Sequence, residues 1–172
     1  MSWISIDIET DGLYPPDYSM LSIGAVIVEE GLRKTFYREL KPISNNYSND
    51  ALAICGFTRE QTLNFADPQL VMQEFKEWIE SSSIGKPYFI SDNNGFDWQF
   101  INYYFHKYIG SNPFGYNSTN LRSLYQGIKC DFKENIKHLR VTKHTHNALD
   151  DAIGNAEVLL HLSREYGLNL NI

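Results

Sequence analysis

The chain has 172 residues, 42% of them hydrophobic and 14% aromatic, which excludes a disordered chain and suits one domain, residues 1–172, with a full core. Its net charge of −6 excludes a protein that holds nucleic acid by bulk positive charge. It does not exclude a nucleic-acid enzyme whose acids carry divalent metal, because such a cluster is locally far less negative than the formal count. Two cysteines, Cys55 and Cys130, lack CxxC spacing and give no disulfide framework, which points to a reducing compartment. Met1-Ser2-Trp3 has no basic n-region, and no apolar run approaches the roughly 18 residues of a membrane helix. A cytoplasmic protein without membrane contact is expected.

The first element is a strand. Ile4, Ile6 and Ile8 alternate with Ser5, Asp7 and Glu9, a period of two that predicts a half-buried strand. Side chains two apart share a face, so Asp7 and Glu9 point the same way. Like charges there raise each other's pKa, and a hard cation reverses that cost. Taken alone, the segment is also what an exposed strand face with two solvated acids looks like. Asp11-Gly12 and Tyr14–Asp17 form a turn and loop. Met20–Val28 and Thr35–Leu40 are two further strands joined through Glu29-Glu30-Gly31, giving an antiparallel meander. Gly24, inside the second strand, marks a close backbone approach or a packing need.

Helical signals follow. Asp50 is placed to cap a short helix through Ile54, and Thr58 with Gln61 fits a capping box. Pro68–Ile79 carries Leu70, Val71, Phe75, Trp78 and Ile79 at helical spacing. Tyr88–Ser91 is a continuous apolar run that suits a strand buried on both faces in a parallel sheet. A loop, Asp92–Gly95, leads into a helix over Phe96–Tyr108 with an aromatic side. Asp97 in its first turn is favoured by the helix dipole, or is a third carboxylate at the end of a buried strand, where open α/β sheets keep their sites. Gly110–Asn120 reads as loop and Leu121–Ile128 as a short helix. Lys129–Lys143 is the most basic stretch, either a solvated surface or a phosphate contact. A long helix after His146 buries Ala152, Ala156, Leu159, Leu160 and Leu162, and Gly167–Ile172 is a short tail.

Three of these segments resemble the motifs of the DEDD exonuclease superfamily, in its DEDDh branch. Asp7-Ile8-Glu9-Thr10 resembles the first motif. Asp92-Asn93-Asn94-Gly95-Phe96-Asp97 resembles the second, with Asp92 where the motif usually has His. His146-x-Ala148-x-x-Asp151 resembles the third. Ile23–Ile27 and Cys55–Thr58 are similar to further family elements. The motifs stand in family order and span nearly the whole chain, and the compact form is similar to bacterial and phage exoribonuclease-like members.

The resemblance implies an RNase H-like α/β fold: a mixed five-stranded sheet, its first three strands antiparallel and then parallel, flanked by helices. It implies a metal-dependent 3′–5′ exonuclease acting on RNA or DNA, with an exoribonuclease slightly favoured, on single strands or 3′ overhangs, releasing nucleoside 5′-monophosphates. Asp7, Glu9, Asp97 and Asp151 would hold two Mg²⁺ or Mn²⁺ ions, about 3.5–4 Å apart in two-metal sites. His146 would be the general base, its unperturbed pKa of about 6.5 suiting that task. Asp150 and His144 fall outside the motif frame. Thr10, Gly12 and Leu13 would hold the terminal nucleotide, and Phe57 and Trp98 could stack on bases or pack in the core. A homodimer is compatible with the sequence. A proofreading subunit working with a polymerase and a catalytically silent nucleic-acid-binding module are the alternatives.

Overall fold

The computed structural model describes residues 1–170; Asn171 and Ile172 of the C-terminal tail lie outside the described residues. Five strands form one sheet in the order β3-β2-β1-β4-β5: β1 (Ser2–Thr10), β2 (Met20–Ile27), β3 (Thr35–Glu39), β4 (Pro87–Ser91) and β5 (Ser118–Asn120). β1, β2 and β3 pair antiparallel, whereas β4 runs parallel to β1 and β5 parallel to β4. The helices are α1 (Asn49–Cys55), α2 (Arg59–Thr62), α3 (Pro68–Ser82), α4 (Asn94–Tyr108), α5 (Leu121–Lys129) and α6 (Ala148–Tyr166). This is the RNase H-like arrangement that the motifs imply.

Two cores lie on opposite faces of the sheet. Ile4, Ile6 and Ile8 of β1 join Phe75 of α3 with Phe100 and Phe105 of α4 on one side. Val26, Ile90, Leu121, Ala156 and Leu159 fill the other, beneath α5 and α6. Each buried Val, Leu, Ile or Phe side chain among these contributes roughly 1.5–3 kcal/mol. β1 is therefore buried on both faces rather than one. Its polar face meets α6, and the Ser5 hydroxyl donates to the Ala152 carbonyl at 2.8 Å. Polar alternation in β1 records a buried polar layer, not a solvent face.

Other departures are local. The cap of α1 is Ser48, whose side chain accepts from the Ala51 N–H, and Asp50 sits inside the first turn. The capping box at Thr58 and Gln61 is present. In α3 the buried stripe is Val71, Met72, Phe75 and Ile79; Leu70 lies off it and is exposed, and Trp78 is half-buried at its edge. β5, read from the sequence as loop, is only Ser118-Thr119-Asn120. It has no periodicity of its own and becomes a strand by pairing with Phe89–Ser91.

Gly24 fixes the position of α6. It pairs with Asp7 across β1 and β2. A Cβ there would overlap the backbone of Ala148 and Leu149, the first residues of α6. Ala148 is small and fully buried, so the helix start lies on the sheet beside Asp7. Glycine inside a strand weakens it, and here it allows two backbones to meet.

Candidate active site

Four of the acids singled out in the sequence converge and are buried: Asp7 is 9% exposed, Glu9 8%, Asp97 2% and Asp151 0%. Asp7 and Glu9 leave the same face of β1, near a register shift between Glu9 and Thr10 that re-aims the strand end. Asp97 comes from the first turn of α4, just beyond the end of β4, and Asp151 from the first turn of α6. The α4 and α6 N-termini bring partial positive charge to the acids they present.

Ligand atoms of Asp7, Glu9 and Asp151 lie within 4.8 Å of one another, and so do those of Asp7, Asp92 and Asp97. Asp7 belongs to both sets. Burial first, then the charges of Asp97 and Asp92, push the Asp7 carboxyl well above the ordinary carboxylate range. Burial pushes Asp97 up as well, opposed by the nearby Ser91 hydroxyl, with Asp92 and Glu9 adding to the rise. Glu9 is raised to about 7, chiefly by burial, against a lowering hydrogen bond from Cys55. Asp97 Oδ2 is buried without a hydrogen-bond partner among the described residues. Buried carboxylates that repel one another and leave an oxygen unpaired are the donor set of a hard divalent cation. The residues fit that group.

Asp151 is held differently. Its Oδ1 accepts from Arg140 Nη2 at 2.9 Å and lies 2.7 Å from His144 Nδ1. Its Oδ2 accepts from the His146 backbone N–H at 3.1 Å. Arg140 is nearly buried and lies across α6 at Gly154, where a Cβ would overlap the guanidinium. His146 is exposed, has a positive φ of 58°, and places its ring 4.3 Å from that of His144. A third set of ligand atoms, from His144, His146 and Asp151, is equally close. Asp150 accepts from the Thr145 hydroxyl at 3.0 Å and joins none of these sets.

A cleft of about 420 Å³ opens beside Glu9, within the range of small-molecule sites. Thr10, Gly12 and Leu13 line it, together with Cys55 and Phe96. Leu13 is 71% exposed at its mouth. The Thr10 hydroxyl donates to the Gly12 carbonyl at 2.8 Å and stiffens that wall. Phe57 and Trp98 do not line the cleft: Phe57 packs edge-on against Phe65, and Trp98 against Phe89. Asp11 turns away from the cleft residues, pairing with Arg59 at 2.9 Å and accepting from the Ser19 N–H.

The sequence gives little notice of three residues. Cys55 Sγ is 3.1 Å from Glu9 Oε2, 46 positions away in the chain. Arg140 lies within a basic run as its one arginine, the residue type that suits a buried ion pair, but nothing beside it in the chain names its partner. Gly154, unusual inside a helix, is the signal that something crosses close to α6 there.

A five-stranded mixed sheet with buried carboxylates where β1, α4 and α6 meet defines a nuclease of the RNase H-like, DEDDh class. Residues 2–162 match the family described as the 3′-5′ exoribonuclease Rv2179c-like domain, and the chain belongs to it. It is 43% identical over 129 residues to the 3′-5′ DNA exonuclease Cap18 of Escherichia coli, covering 73% of this chain and 68% of that protein. It is 28% identical over 163 residues to the PolC-type DNA polymerase III of Thermotoga petrophila, covering 92% of this chain but 12% of that protein. Among solved structures, the nuclease domain of 3′hExo, a DEDDh family member bound to rAMP, superposes with a TM-score of 0.78 at 16% identity, covering 95% of this chain and 92% of that one. E. coli Exonuclease I with a dT13 oligonucleotide gives 0.77 at 14% identity, covering 96% of this chain and 42% of that one.

Proposed function

We propose that the protein is a divalent-metal-dependent 3′–5′ exonuclease that releases nucleoside 5′-monophosphates from single-stranded or overhanging 3′ ends of RNA or DNA. The observation that carries this reading is the shared carboxylate: Asp7 belongs to two ligand sets at once, Asp7–Glu9–Asp151 and Asp7–Asp97 with Asp92 beside them. Bound Mg²⁺ or Mn²⁺ would supply Lewis-acid stabilisation of the charge that develops on the attacking and leaving oxygens.

The chain's own residues do the rest. Thr10, Gly12 and Leu13 seat the terminal nucleoside in the cleft beside Glu9, with Leu13 against its base. Its phosphodiester then faces the carboxylate cluster. An imidazole nitrogen of His146 accepts the proton of the attacking water. A new O–P bond forms as the P–O3′ bond breaks, and the departing 3′ oxygen takes up a proton from solvent. His146 stands on an exposed loop whose backbone is tied to Asp151, so proton acceptor and ligand move as one unit.

Sugar choice is read by the same experiment that tests the reaction. RNA and DNA oligonucleotides, 5′-labelled and each single-stranded or with a 3′ overhang, are incubated with Mg²⁺ or Mn²⁺. A ladder shortening from the 3′ end, lost in Asp151→Asn and in chelator, is the expected result. The substrate that shortens faster fixes the sugar, and light scattering on the same preparation tests for a homodimer. No product from any substrate in either metal would overturn the exonuclease reading.

A further inference from the structure

We infer that Asp92 is a metal ligand: with Asp7 and Asp97 it completes a second cation site that fills before any nucleic acid arrives. The inference rests on the metal-dependent reading above and extends it to a residue that departs from the DEDDh motif, where His is usual.

Three observations converge on Asp92. Its carboxylate belongs to a set in which one ligand atom each from Asp7, Asp92 and Asp97 lies within 4.8 Å of the others. Oxygens around a Mg²⁺ ion at about 2.0–2.1 Å stand at most about 4.2 Å apart, so a small inward movement brings all three onto one ion, with water filling the rest of the octahedron. Second, Asp97 is 2% exposed and its Oδ2 has no hydrogen-bond partner among the described residues. A buried unpaired carboxylate oxygen is costly, and a cation is the partner that relieves it. Third, Asp92 is not consumed by other contacts. Its Oδ1 accepts a long hydrogen bond from Asn155 Nδ2 at 3.4 Å, and its Oδ2 stands 4.0 Å from Arg140 Nη1. Both are at the limit of contact, while its backbone carbonyl is held firmly by Asn120 Nδ2 at 2.9 Å. The loop is fixed and the carboxylate has freedom to turn.

Charge agrees with this assignment. Asp7, Glu9, Asp92, Asp97 and Asp151 bring five negative charges when ionised, and Arg140 brings a permanent positive charge to the cluster, with the His144 imidazole beside it. Two divalent ions and that guanidinium balance the five. Histidine at position 92 would leave the second site one carboxylate short, and the anionic phosphate of a substrate would have to supply the missing ligand.

The test counts ions on the intact protein without nucleic acid, by Mn²⁺ titration calorimetry and by the electron paramagnetic resonance signal of free Mn²⁺. Wild type is expected to take up two ions. Asp92→Asn, close in shape, keeps one at unchanged affinity and weakens the other more than about 100-fold, beyond the range of residues that only orient ligands. Asp97→Asn removes the same ion, and Asp150→Asn leaves both. Two ions in Asp92→Asn with both affinities within about 100-fold of wild type, or a single ion in wild type, would overturn the assignment and leave Asp92 as a neighbour of the site only. No ion in wild type would instead overturn the metal-dependent reading itself. Should Asp92→Asn fail to fold, Asp92→Ser takes its place, and a single ion in wild type still overturns the assignment.

Discussion

The two halves of the carboxylate cluster are built on opposite principles. On the β1–α4 side, Asp7 and Asp97 are buried with raised pKa values, and Asp97 Oδ2 has no partner among the described residues. On the α6 side, Asp151 is equally buried but fully engaged by Arg140, His144 and the loop N–H groups. The first half is incomplete without a cation. The second supports itself and carries the loop that holds His146. The difference separates what metal must stabilise from what the fold already stabilises.

Breaking the incomplete half has the largest effect on function. Asp7 is common to both ligand sets, so Asp7→Asn is expected to reduce exonuclease activity far more than 100-fold, beyond the range of residues that only orient ligands. It should also relieve repulsion, so the metal-free variant melts at or above the wild-type temperature. Calorimetric melting beside the oligonucleotide assay checks both signs. A variant that loses activity by unfolding would contradict the comparison.

Breaking the self-supporting half should do the reverse. Arg140→Met leaves Asp151 buried without its guanidinium, a change that costs about 3–5 kcal/mol when one member of a buried pair is removed. Chemical denaturation measures it. Added Mn²⁺ should recover part of the loss, because Asp151 belongs to a ligand set.

The pH dependence sharpens the contrast. Glu9 goes from an ordinary value of 4.5 to about 7 in the folded chain, so its proton is held more tightly folded than unfolded. Below pH 4.5 the group is protonated in both states and costs nothing. Between about 4.5 and 7 the unfolded chain ionises while the folded one resists, and metal-free stability falls by about 3 kcal/mol. Above 7 the loss is constant for Glu9, and the raised Asp7 and Asp97 add declines of the same sign. Mg²⁺ binds the ionised form, so the rise in melting temperature on adding Mg²⁺ should grow from pH 5 to pH 8. A metal increment that shrinks with pH would contradict this.

How much of this was legible in the sequence follows from what each residue depends on. Asp7 and Glu9 were readable because a period of two puts them on one face whatever surrounds them. Asp97 and Asp151 were readable through their motifs, each next to the start of a periodic helix. The paired strands β1 to β4 carried their own apolar pattern. β5 did not, since Ser118–Asn120 is a strand only because β4 lies beside it. Nor did the sequence name the partner of Arg140, the one arginine of its basic run, which the fold lays over Gly154 and against Asp151. The backbone that Gly24 admits is that of Ala148 and Leu149, which no local pattern around Gly24 names. Gly24→Ala tests it: the added methyl meets backbone and should destabilise by about 1–3 kcal/mol. Because Asp151 rides on the displaced helix, Mn²⁺ affinity should fall with it.

The smallest effect falls at Cys55, which reaches Glu9 from the end of α1. Its thiol donates to Glu9 Oε2 at 3.1 Å, and this bond lowers a Glu9 pKa that burial raises. Burial and the Glu9 charge push the thiol itself up, so it stays protonated as a donor and is a poor nucleophile. Cys55→Ala removes the donor; the expected loss is about 1 kcal/mol, that of one hydrogen bond. Glu9 should then ionise at higher pH, and the midpoint of Mn²⁺ binding against pH should move upward. Cys55→Ser keeps a donor and should leave the midpoint in place. Equal shifts in both variants would mean that the sulfur acts through packing of the cleft wall and not through its proton. Iodoacetamide gives an independent reading, since exposed Cys130 should react well before half-buried Cys55.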